Sequence, residues 1–264
     1  DALNIYQTGI GFGWNNENYH KWWPQDVMVI GKGILRFHAV YWPAILKSAH
    51  LTLPKKLFVH GYLTVNGQKM SKTLGNVVDP TELINRYGTD ALRYFFLKEI
   101  PATADGDFSE RRLKEVYNAD LANGLGNLVA RVAKLCESAE FVSMGSKDRV
   151  SGHIDYVEGY SEAMEEYRFN DALSWVQEKI SRVDKFIDQE KPWELLPSKV
   201  KSTSSGKSVH EQAVKLREAL AHLVDRMQEI GALLEPFLPE TAKKIEEQFK
   251  GPKIVSQPPL FPRL

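Results

Sequence analysis

The pattern of apolar and polar residues changes character along this chain of 264 residues. Residues 27–30 and 57–65 are short apolar runs, which are typical of strands buried in a parallel sheet. Between them, residues 32–49 place apolar and aromatic side chains on neighbouring helical turns. This order of strand, helix and strand predicts a mixed α/β fold with parallel strands in the first part of the chain.

Several local signals mark where these elements bend or begin. Pro43 lies inside the helical pattern and is expected to kink or divide that helix. Asn66 and Gly67 form a turn signal after the second strand. Asp79 followed by Pro80 predicts the start of a helix, and residues 90–97 continue as a helix with an aromatic face.

Strand signals fade after about residue 108, and the rest of the chain predicts an all-α helical bundle. Four stretches show helical periodicity: residues 109–141, 154–190, 209–235 and 238–249. A polar loop, residues 197–208, joins two of them. The last stretch, residues 254–264, contains three prolines and is expected to pack over the bundle as an extended tail.

The composition indicates a soluble protein in a reducing environment and gives little further information about function. The formal net charge is zero, with a basic surplus in the first hundred residues and an acidic surplus in the remainder, so binding of nucleic acid would need a local patch. The one cysteine, Cys136, excludes an internal disulfide and a Cys-rich zinc site, and is expected to be a buried helix residue. No apolar run reaches a membrane-spanning length, and no signal peptide or initiator Met is visible.

The segment from Lys69 to Asn76 carries the clearest candidate chemistry. Lys69 and Lys72 stand three positions apart on a short loop after the second predicted strand. Two ammonium groups in this position can bind phosphate. The alternative interpretation is an ordinary charged loop that is exposed to solvent. The stretch resembles the Lys-Met-Ser-Lys-Ser signature of class I aminoacyl-tRNA synthetases, with Thr73 in place of the last Ser.

Further segments resemble one family of these enzymes, the methionyl-tRNA synthetases. The similar segments are residues 1–6, 30–44 and 59–62, the lysine loop, Asn127 with Arg131, and Pro192 with Trp193. The resemblance implies that residues 1–60 are the second half of a Rossmann-type catalytic domain. It implies a lysine loop and stem-contact connection over residues 61–118, and a helical anticodon-binding domain over residues 119–264. The family's first Rossmann half and metal-binding knuckle have no counterpart here, so the chain is interpreted as a C-terminal part that is inactive alone.

The resemblance places the substrate methionine among six residues: Ala2, Leu3, Tyr6, Ile34, His38 and Trp42. A thioether favours an apolar, aromatic-lined slot with one polar group to orient it. His38 and Trp42 are four positions apart and therefore share a helix face. Periodicity alone favours ordinary core residues at these positions, and the resemblance reverses that interpretation for His38 and Trp42.

The resemblance places ATP at five residues: Gly31, Gly33, His60, Leu63 and Lys72. Gly31 and His60 follow neighbouring predicted strands, at the sheet edge where open α/β folds bind ligands. Methionyl-tRNA synthetases usually have an aspartate at position 33, and its absence puts nucleotide affinity in question. Lys72, supported by Lys69, is the expected catalytic group that stabilises phosphate charge. ATP would come with Mg²⁺ as a substrate complex, and the chain contains no recognisable set of metal ligands.

The anticodon site implied by the resemblance consists of Asn127, Arg131, Pro192 and Trp193, which would bind tRNA with the anticodon CAU. Asn127 and Arg131 are at i and i+4 and can both contact a base edge, while Trp193 can stack on a base. A solvated polar face with a packing tryptophan is the alternative. Two functions therefore stay open: a cytoplasmic or organellar methionine–tRNA ligase, present as its C-terminal part, and a non-catalytic tRNA-binding module.

Overall fold

A computed structural model of the chain describes residues 2–143, 158–198 and 206–264. The chain divides into two compact units. The α/β unit comprises Asp1–Asn76 and Ile100–Asp107, and the helical unit comprises Val77–Glu99 and Phe108–Leu264. The predicted boundaries at residues 60 and 118 divide the chain by function rather than by packing, and they stay a prediction.

The α/β unit contains the predicted parallel strand pair. Helices α1 (Ile5–Gly9) and α2 (Asn16–Trp22) precede β1 (Met28–Gly31), which pairs in parallel with β2 (Leu57–His60). The register brings Met28 opposite Leu57 and Gly31 opposite His60. The core of this unit is formed by buried side chains of α2, β1 and the helix that follows, namely Tyr19, Trp23, Met28, Ile30, Trp42 and Leu46.

The helical stretch between β1 and β2 is irregular before Pro43, and a kink at Pro43 itself stays a prediction. It begins as a 3₁₀ turn at Lys32–Ile34, widens into a π-helical turn at Phe37–Tyr41 and ends as α3 (Trp42–Ser48). Pro43 lies in the first turn of α3, where its fixed φ is compatible with the helix. The irregularity is therefore a local widening within one continuous helical path.

The predicted single strand at residues 57–65 is wrong, because the chain leaves the first sheet after His60. β3 (Leu63–Val65) belongs to a second sheet with β4 (Gln68–Lys69) and β5 (Gly106–Phe108), in the order β4-β3-β5. Gly61 between the two strands is buried, and a Cβ atom there would lie 2.1 Å from the Ala104 carbonyl oxygen. This close backbone approach leaves no room for a side chain at position 61, and it has no signal in the local sequence.

The helical unit follows the predicted periodicity with two differences. Its helices are α4 (Pro80–Tyr87), α5 (Thr89–Glu99), α6 (Glu110–Val116), α7 (Asn127–Ser138), α8 (Glu158–Glu165), α9 (Phe169–Glu190), α10 (Gly206–Leu234) and α11 (Pro239–Phe249). A π-helical segment, Tyr117–Gly126, joins α6 to α7. The stretch predicted as residues 154–190 is two helices, with Tyr167 at a φ of 60° between them. Residues 154–157 and 199–205 lie outside the described part of the chain.

Side-chain capping and burial in this unit agree with the sequence. Asp79 accepts a hydrogen bond from the Thr81 N–H at 2.8 Å and so caps α4. Cys136 is fully buried in α7, and this burial raises the pKa of its thiol to about 12. Ile254 and Phe261 of the C-terminal stretch are buried, with the Phe261 ring 5.8 Å from that of Tyr117. The tail therefore packs over the helices as predicted.

Two side chains of α5 hold the connection between α10 and α11. Asp90 is buried, and its Oδ2 accepts a hydrogen bond at 2.7 Å from the backbone N–H of Thr241, in the first turn of α11. Arg93 donates to the carbonyl oxygens of Pro236 and Phe237, both at 2.8 Å. Asp90 thus satisfies a backbone N–H at the start of α11, and Arg93 satisfies two carbonyl oxygens of the turn after α10. None of the described helices is long and apolar enough to cross a membrane.

Candidate functional site

Three of the six residues expected around methionine form one contact cluster in the α/β unit. The Tyr6 hydroxyl lies 3.0 Å from His38 Nε2, and His38 Nδ1 lies 2.9 Å from the Ile34 carbonyl oxygen. The Tyr6 and Trp42 ring centroids are 5.3 Å apart, and those of His38 and Trp42 are 6.1 Å apart. His38 lies on the π-helical turn and Trp42 is the first residue of α3, and both rings contact Tyr6 of α1.

The hydrogen bonds of this cluster determine which nitrogen of His38 carries the proton. A carbonyl oxygen can only accept, so Nδ1–H donates to Ile34. In the neutral imidazole, Nε2 is then an acceptor and the Tyr6 hydroxyl donates to it. The resulting cluster is aromatic with one polar group of fixed orientation, a lining that suits an apolar side chain with a weakly polar atom.

The six residues differ in burial. His38 and Trp42 are buried, whereas Tyr6 is 39% exposed and forms the accessible side. The Trp42 indole N–H is buried and has no hydrogen-bond partner among the described residues. Leu3 packs against the core of the unit, while Ala2 and Ile34 are exposed. The structure thus brings Tyr6, His38 and Trp42 together, and their role stays a prediction.

The carboxyl ends of β1 and β2 bring Gly31 and His60 side by side. A Cβ atom at Gly31 would lie 3.4 Å from Cε1 of the His60 ring, so glycine keeps this edge open. His60 Nδ1 lies 2.8 Å from the Gly61 carbonyl oxygen and therefore donates to it, which leaves Nε2 as the acceptor of a neutral ring. The predicted proximity at this sheet edge is present.

Gly33 lies against a cluster that sequence reasoning missed. A Cβ atom at Gly33 would be 2.6 Å from the Tyr62 hydroxyl oxygen. The Lys32 ammonium lies 4.5 Å from the Tyr62 ring centroid and 2.6 Å from the Asp105 carboxylate. Hydrogen bonds from Lys32 and then from the Tyr62 N–H lower the pKa of Asp105. Asp105 follows Tyr62 by 43 positions, so no local pattern could have linked them.

The lysine loop follows the tight hairpin of β3 and β4, and hydrogen bonds within the loop connect its two ends. Asn66 and Gly67 both have positive φ, 51° and 75°, which confirms the predicted turn between β3 and β4. Asn76 closes the loop, because its Oδ1 accepts from Ser71 N–H at 2.8 Å and its Nδ2 donates to the Lys69 carbonyl at 3.2 Å.

Both lysine side chains of this loop are available to a ligand. Lys69 and Lys72 are exposed, and within the ranges that the structure describes neither forms an ion pair. Leu63 is half-buried on β3. The loop thus presents two ammonium groups to solvent next to the second sheet, and their catalytic role stays a prediction.

The residues expected to read the anticodon lie in the helical unit on two elements. Asn127 and Arg131 occupy successive turns of α7, and Asn127 lines a cleft of about 410 Å³ with Asn118, Asn123 and Arg263. Pro192 is buried, whereas Trp193 is 36% exposed on the 3₁₀ turn Pro192–Glu194.

Arg131 is more constrained than the sequence indicated. Its guanidinium bonds Asp184 through one nitrogen and Asp188 through the other, the latter at 2.8 Å. These carboxylates are 53 and 57 positions away in sequence, on α9. They hold the guanidinium plane in one orientation, which is a positioning effect that sequence reasoning did not foresee. Among the described residues, no group of three potential ligands lies close enough to hold a metal ion.

The sequence of the chain is similar to those of known proteins. A family model described as tRNA synthetases class I (M) matches residues 3–133. The methionine–tRNA ligase of Thermotoga maritima is 38% identical over 253 residues, covering 93% of this chain, and that of Bacillus subtilis is 38% identical over 293 residues, covering all of it. The chain belongs to the methionyl-tRNA synthetase family.

Solved structures of this family have the same fold as this chain. Mycobacterium tuberculosis methionyl-tRNA synthetase in complex with methionyl-adenylate is 32% identical, with a TM-score of 0.82 over 99% of this chain. The apo form of that enzyme has a TM-score of 0.80. The predicted class I synthetase fold with a helical C-terminal region is therefore confirmed. The chain spans 38% and 42% of the length of the two bacterial ligases and 55% of the solved chain.

Proposed function

We propose that this chain is the part of a methionine–tRNA ligase that carries the lysine loop, one wall of the methionine pocket and the anticodon-reading helices. The observation that carries the proposal is the Tyr6–His38–Trp42 cluster, in which an aromatic wall surrounds an imidazole of fixed tautomer. Such a wall accepts the thioether side chain and leaves the amino acid's carboxylate for reaction. The cytoplasm is the compartment we propose, because such a ligase acts where tRNA is used.

The proposed reaction has two steps. The methionine carboxylate attacks the α-phosphate of ATP, supplied as its Mg²⁺ complex, and pyrophosphate leaves. The methionyl group then passes to the 3′ end of the tRNA. Lys72 and Lys69 stabilise the negative charge on the phosphates as pyrophosphate departs, without an obligatory covalent enzyme intermediate.

The α/β unit supports the further proposal that a second polypeptide segment completes the active site. Parallel sheets are normally covered on both faces and contain more than two strands. Here β1 pairs with β2 alone among the described strands, and Val29 at its middle is 65% exposed. We propose that additional parallel strands and helices cover this surface, and that the 264-residue chain alone does not activate methionine.

Complementation tests this proposal. The chain is mixed with the part of the Thermotoga maritima ligase that precedes its matched region, and methionine-dependent exchange of pyrophosphate into ATP is measured. We expect exchange in the mixture, loss of exchange with His38→Ala or Trp42→Ala, and none with the chain alone. The same division of the Thermotoga maritima ligase itself serves as the control for assembly. Exchange by the chain alone would contradict the proposed requirement for a second segment.

The anticodon-reading role is part of the same proposal. It is supported by the amide-lined cleft at Asn127, the oriented guanidinium of Arg131 and the half-exposed ring of Trp193 after the buried Pro192. Stacking and base-edge hydrogen bonds are the means by which single-stranded RNA is read. We propose that these groups read the anticodon CAU.

A non-catalytic tRNA-binding module is the second candidate. It is favoured by the helical unit, which has a core of its own, with fully buried residues such as Leu128, Val132 and Leu173. Specific binding of tRNA together with failure of exchange in the complemented mixture, while the control mixture is active, would support this candidate over the ligase.

A further inference from the structure

Asp107 makes two hydrogen bonds to the hairpin that carries the lysine loop. Its Oδ1 accepts from the Thr64 hydroxyl at 2.5 Å and from the Gly67 backbone N–H at 2.7 Å. Thr64 lies on β3, and Gly67 is the second residue of the turn into β4. One carboxylate oxygen thus joins the strand before the turn to the turn itself.

Asp105 accepts hydrogen bonds at the other end of β3. Its carboxylate accepts from the Tyr62 N–H at 2.7 Å and from the Lys32 ammonium. Positions 105 and 107 are two apart in an extended segment, so their side chains face the same side. The segment Ile100–Asp107 therefore fastens β3 just before its first residue and just after its last one.

The turn at Gly67 determines where the two lysines stand. Lys69 follows it by two residues at the end of β4, and the loop from Lys69 to Asn76 is closed by the side chain of Asn76. A shift of the turn would carry the whole closed loop with it. The hydrogen bond at Gly67 N–H spans 40 positions of sequence and is the long-range contact that resists such a shift.

We propose that Asp107 is a positioning residue for Lys69 and Lys72, acting through the Asn66–Gly67 turn. That the positioned lysines serve phosphate rests on the proposed function above. Asp107 touches neither lysine in the structure, so its effect is on where the ammonium groups lie and not on their chemistry. Because both donors converge on one oxygen, an asparagine at position 107 retains the acceptor and an alanine removes it.

The first experiment measures the loop in the 264-residue chain without any ligand. Hydrogen exchange of residues 64–76 and tryptic cleavage after Lys69 and Lys72 are compared for the wild type, Asp107→Ala, Asp107→Asn, Thr64→Val and Thr64→Ser. We expect about tenfold faster exchange at Gly67 and faster cleavage in Asp107→Ala, a factor that corresponds to about 1.4 kcal/mol. Asp107→Asn and Thr64→Ser should stay close to the wild type.

Two comparisons keep this test decisive. Asp26→Ala removes an exposed ion pair with Lys55 in the same unit and should leave the loop unchanged. Thr64→Val removes a single donor and should give a smaller effect than Asp107→Ala, and it serves as the test if Asp107→Ala does not fold. The proposal would be overturned if Asp107→Ala showed the same exchange and cleavage rates as the wild type. If Asp107→Ala does not fold, the same result in Thr64→Val would overturn it.

The second experiment separates this proposal from the proposed function. Acetylation rates of Lys69 and Lys72 are measured by mass spectrometry with and without MgATP, in the complemented mixture described under the proposed function. We expect MgATP to protect Lys72 in the wild type and Asp107→Asn, and Asp107→Ala to need about tenfold more MgATP. Protection that is equal in Asp107→Ala would overturn the positioning role. Absence of protection in the wild type would count against the phosphate-binding function, while the exchange data would still decide on Asp107.

Discussion

At the scale of single residues, the Tyr62 hydroxyl fills the place where a side chain at position 33 would begin. The ring is held there by Lys32, whose ammonium lies 4.5 Å from its centroid. A carboxylate at position 33 can therefore contact a nucleotide only after Tyr62 has moved. The departure at Gly33 from the aspartate that the family resemblance implies is thus tied to Tyr62, 29 positions later in the sequence.

This arrangement predicts a cost for restoring the aspartate. Gly33→Asp should lower the free energy of unfolding by about 0.5–1 kcal/mol, because Tyr62 must leave the Lys32 ammonium. In a Tyr62→Ala background the same substitution should cost less, since the space is then open. Urea unfolding of the two single variants and the double variant measures this coupling. Equal destabilisation in both backgrounds would mean that Tyr62 is not the obstacle.

Trp193 leads to a second prediction at this scale. If its exposed ring stacks on an anticodon base, Trp193→Ala should weaken binding of tRNA with the anticodon CAU by about 1–3 kcal/mol. Binding of tRNA with an unrelated anticodon should hardly change, because it depends on phosphate contacts. Fluorescence titration measures both affinities. An equal loss for all tRNAs, together with a sharp fall in melting temperature, would instead make Trp193 a packing residue.

Arg131 provides a comparison for the same assay. Arg131→Ala should reduce discrimination at the base that the guanidinium contacts. Arg182→Ala is the matched control, because Arg182 is an exposed arginine of α9 that pairs with Glu178. Equal effects of the two variants would indicate a general loss of positive charge.

At the scale of elements, α4 and α6 are joined through Glu110 at the start of α6. Glu110 accepts hydrogen bonds from the Tyr87 hydroxyl at 2.6 Å and from Arg86 at 2.5 Å. These bonds, with that from Tyr87 the larger contribution, lower the pKa of Glu110 to about 2. Its position in the first turn also suits the positive end of the helix dipole.

The lowered pKa predicts an acid-sensitive contribution to stability. Because the folded pKa lies below the ordinary value of 4.5, the contribution is fully present above about pH 4.5 and is lost as the pH falls towards 2. Glu110→Gln should therefore be less stable than the wild type near neutral pH, with a difference that shrinks below pH 4.5. Urea midpoints across this range measure it, and Glu115→Gln on the same helix is the control. A difference independent of pH would contradict the assignment.

At the scale of the whole molecule, the α/β unit has large apolar side chains that are exposed to solvent. Val29, Phe37, Val40 and Ile45 are each about half exposed or more, on β1, the π-helical turn and α3. Apolar surface of this kind is typically covered by another protein segment. This surface is the physical basis for the proposed second segment.

The same surface predicts the behaviour of the isolated chain. The 264-residue chain should self-associate as its concentration rises, and Phe37→Ser with Ile45→Ser should reduce that association. Sedimentation velocity measures the effect. Val209→Ser with Val214→Ser, which changes two exposed apolar residues of α10, is the matched control. A monomeric wild type at all concentrations would contradict this expectation.

The sequence by itself determined the features whose signals are local. Helical periodicity located α10 and α11 closely, Asp79 marked the start of α4, and Asn66 with Gly67 marked the hairpin turn. The lysine loop and the ordered similar segments indicated the family. Each of these rests on residues within a few positions of one another, where backbone preferences and side-chain capping act directly.

The tertiary structure alone decided which distant residues complete each site. It ended β2 at His60 and set Gly61 against the backbone of Ala104, brought Asp107 to the lysine hairpin and placed two aspartates of α9 beside Arg131. These partners are separated by 40 to 57 positions of sequence. These contacts depend on how whole elements pack. The local sequence around an aspartate is the same whether its carboxylate is solvated or holds a loop in place.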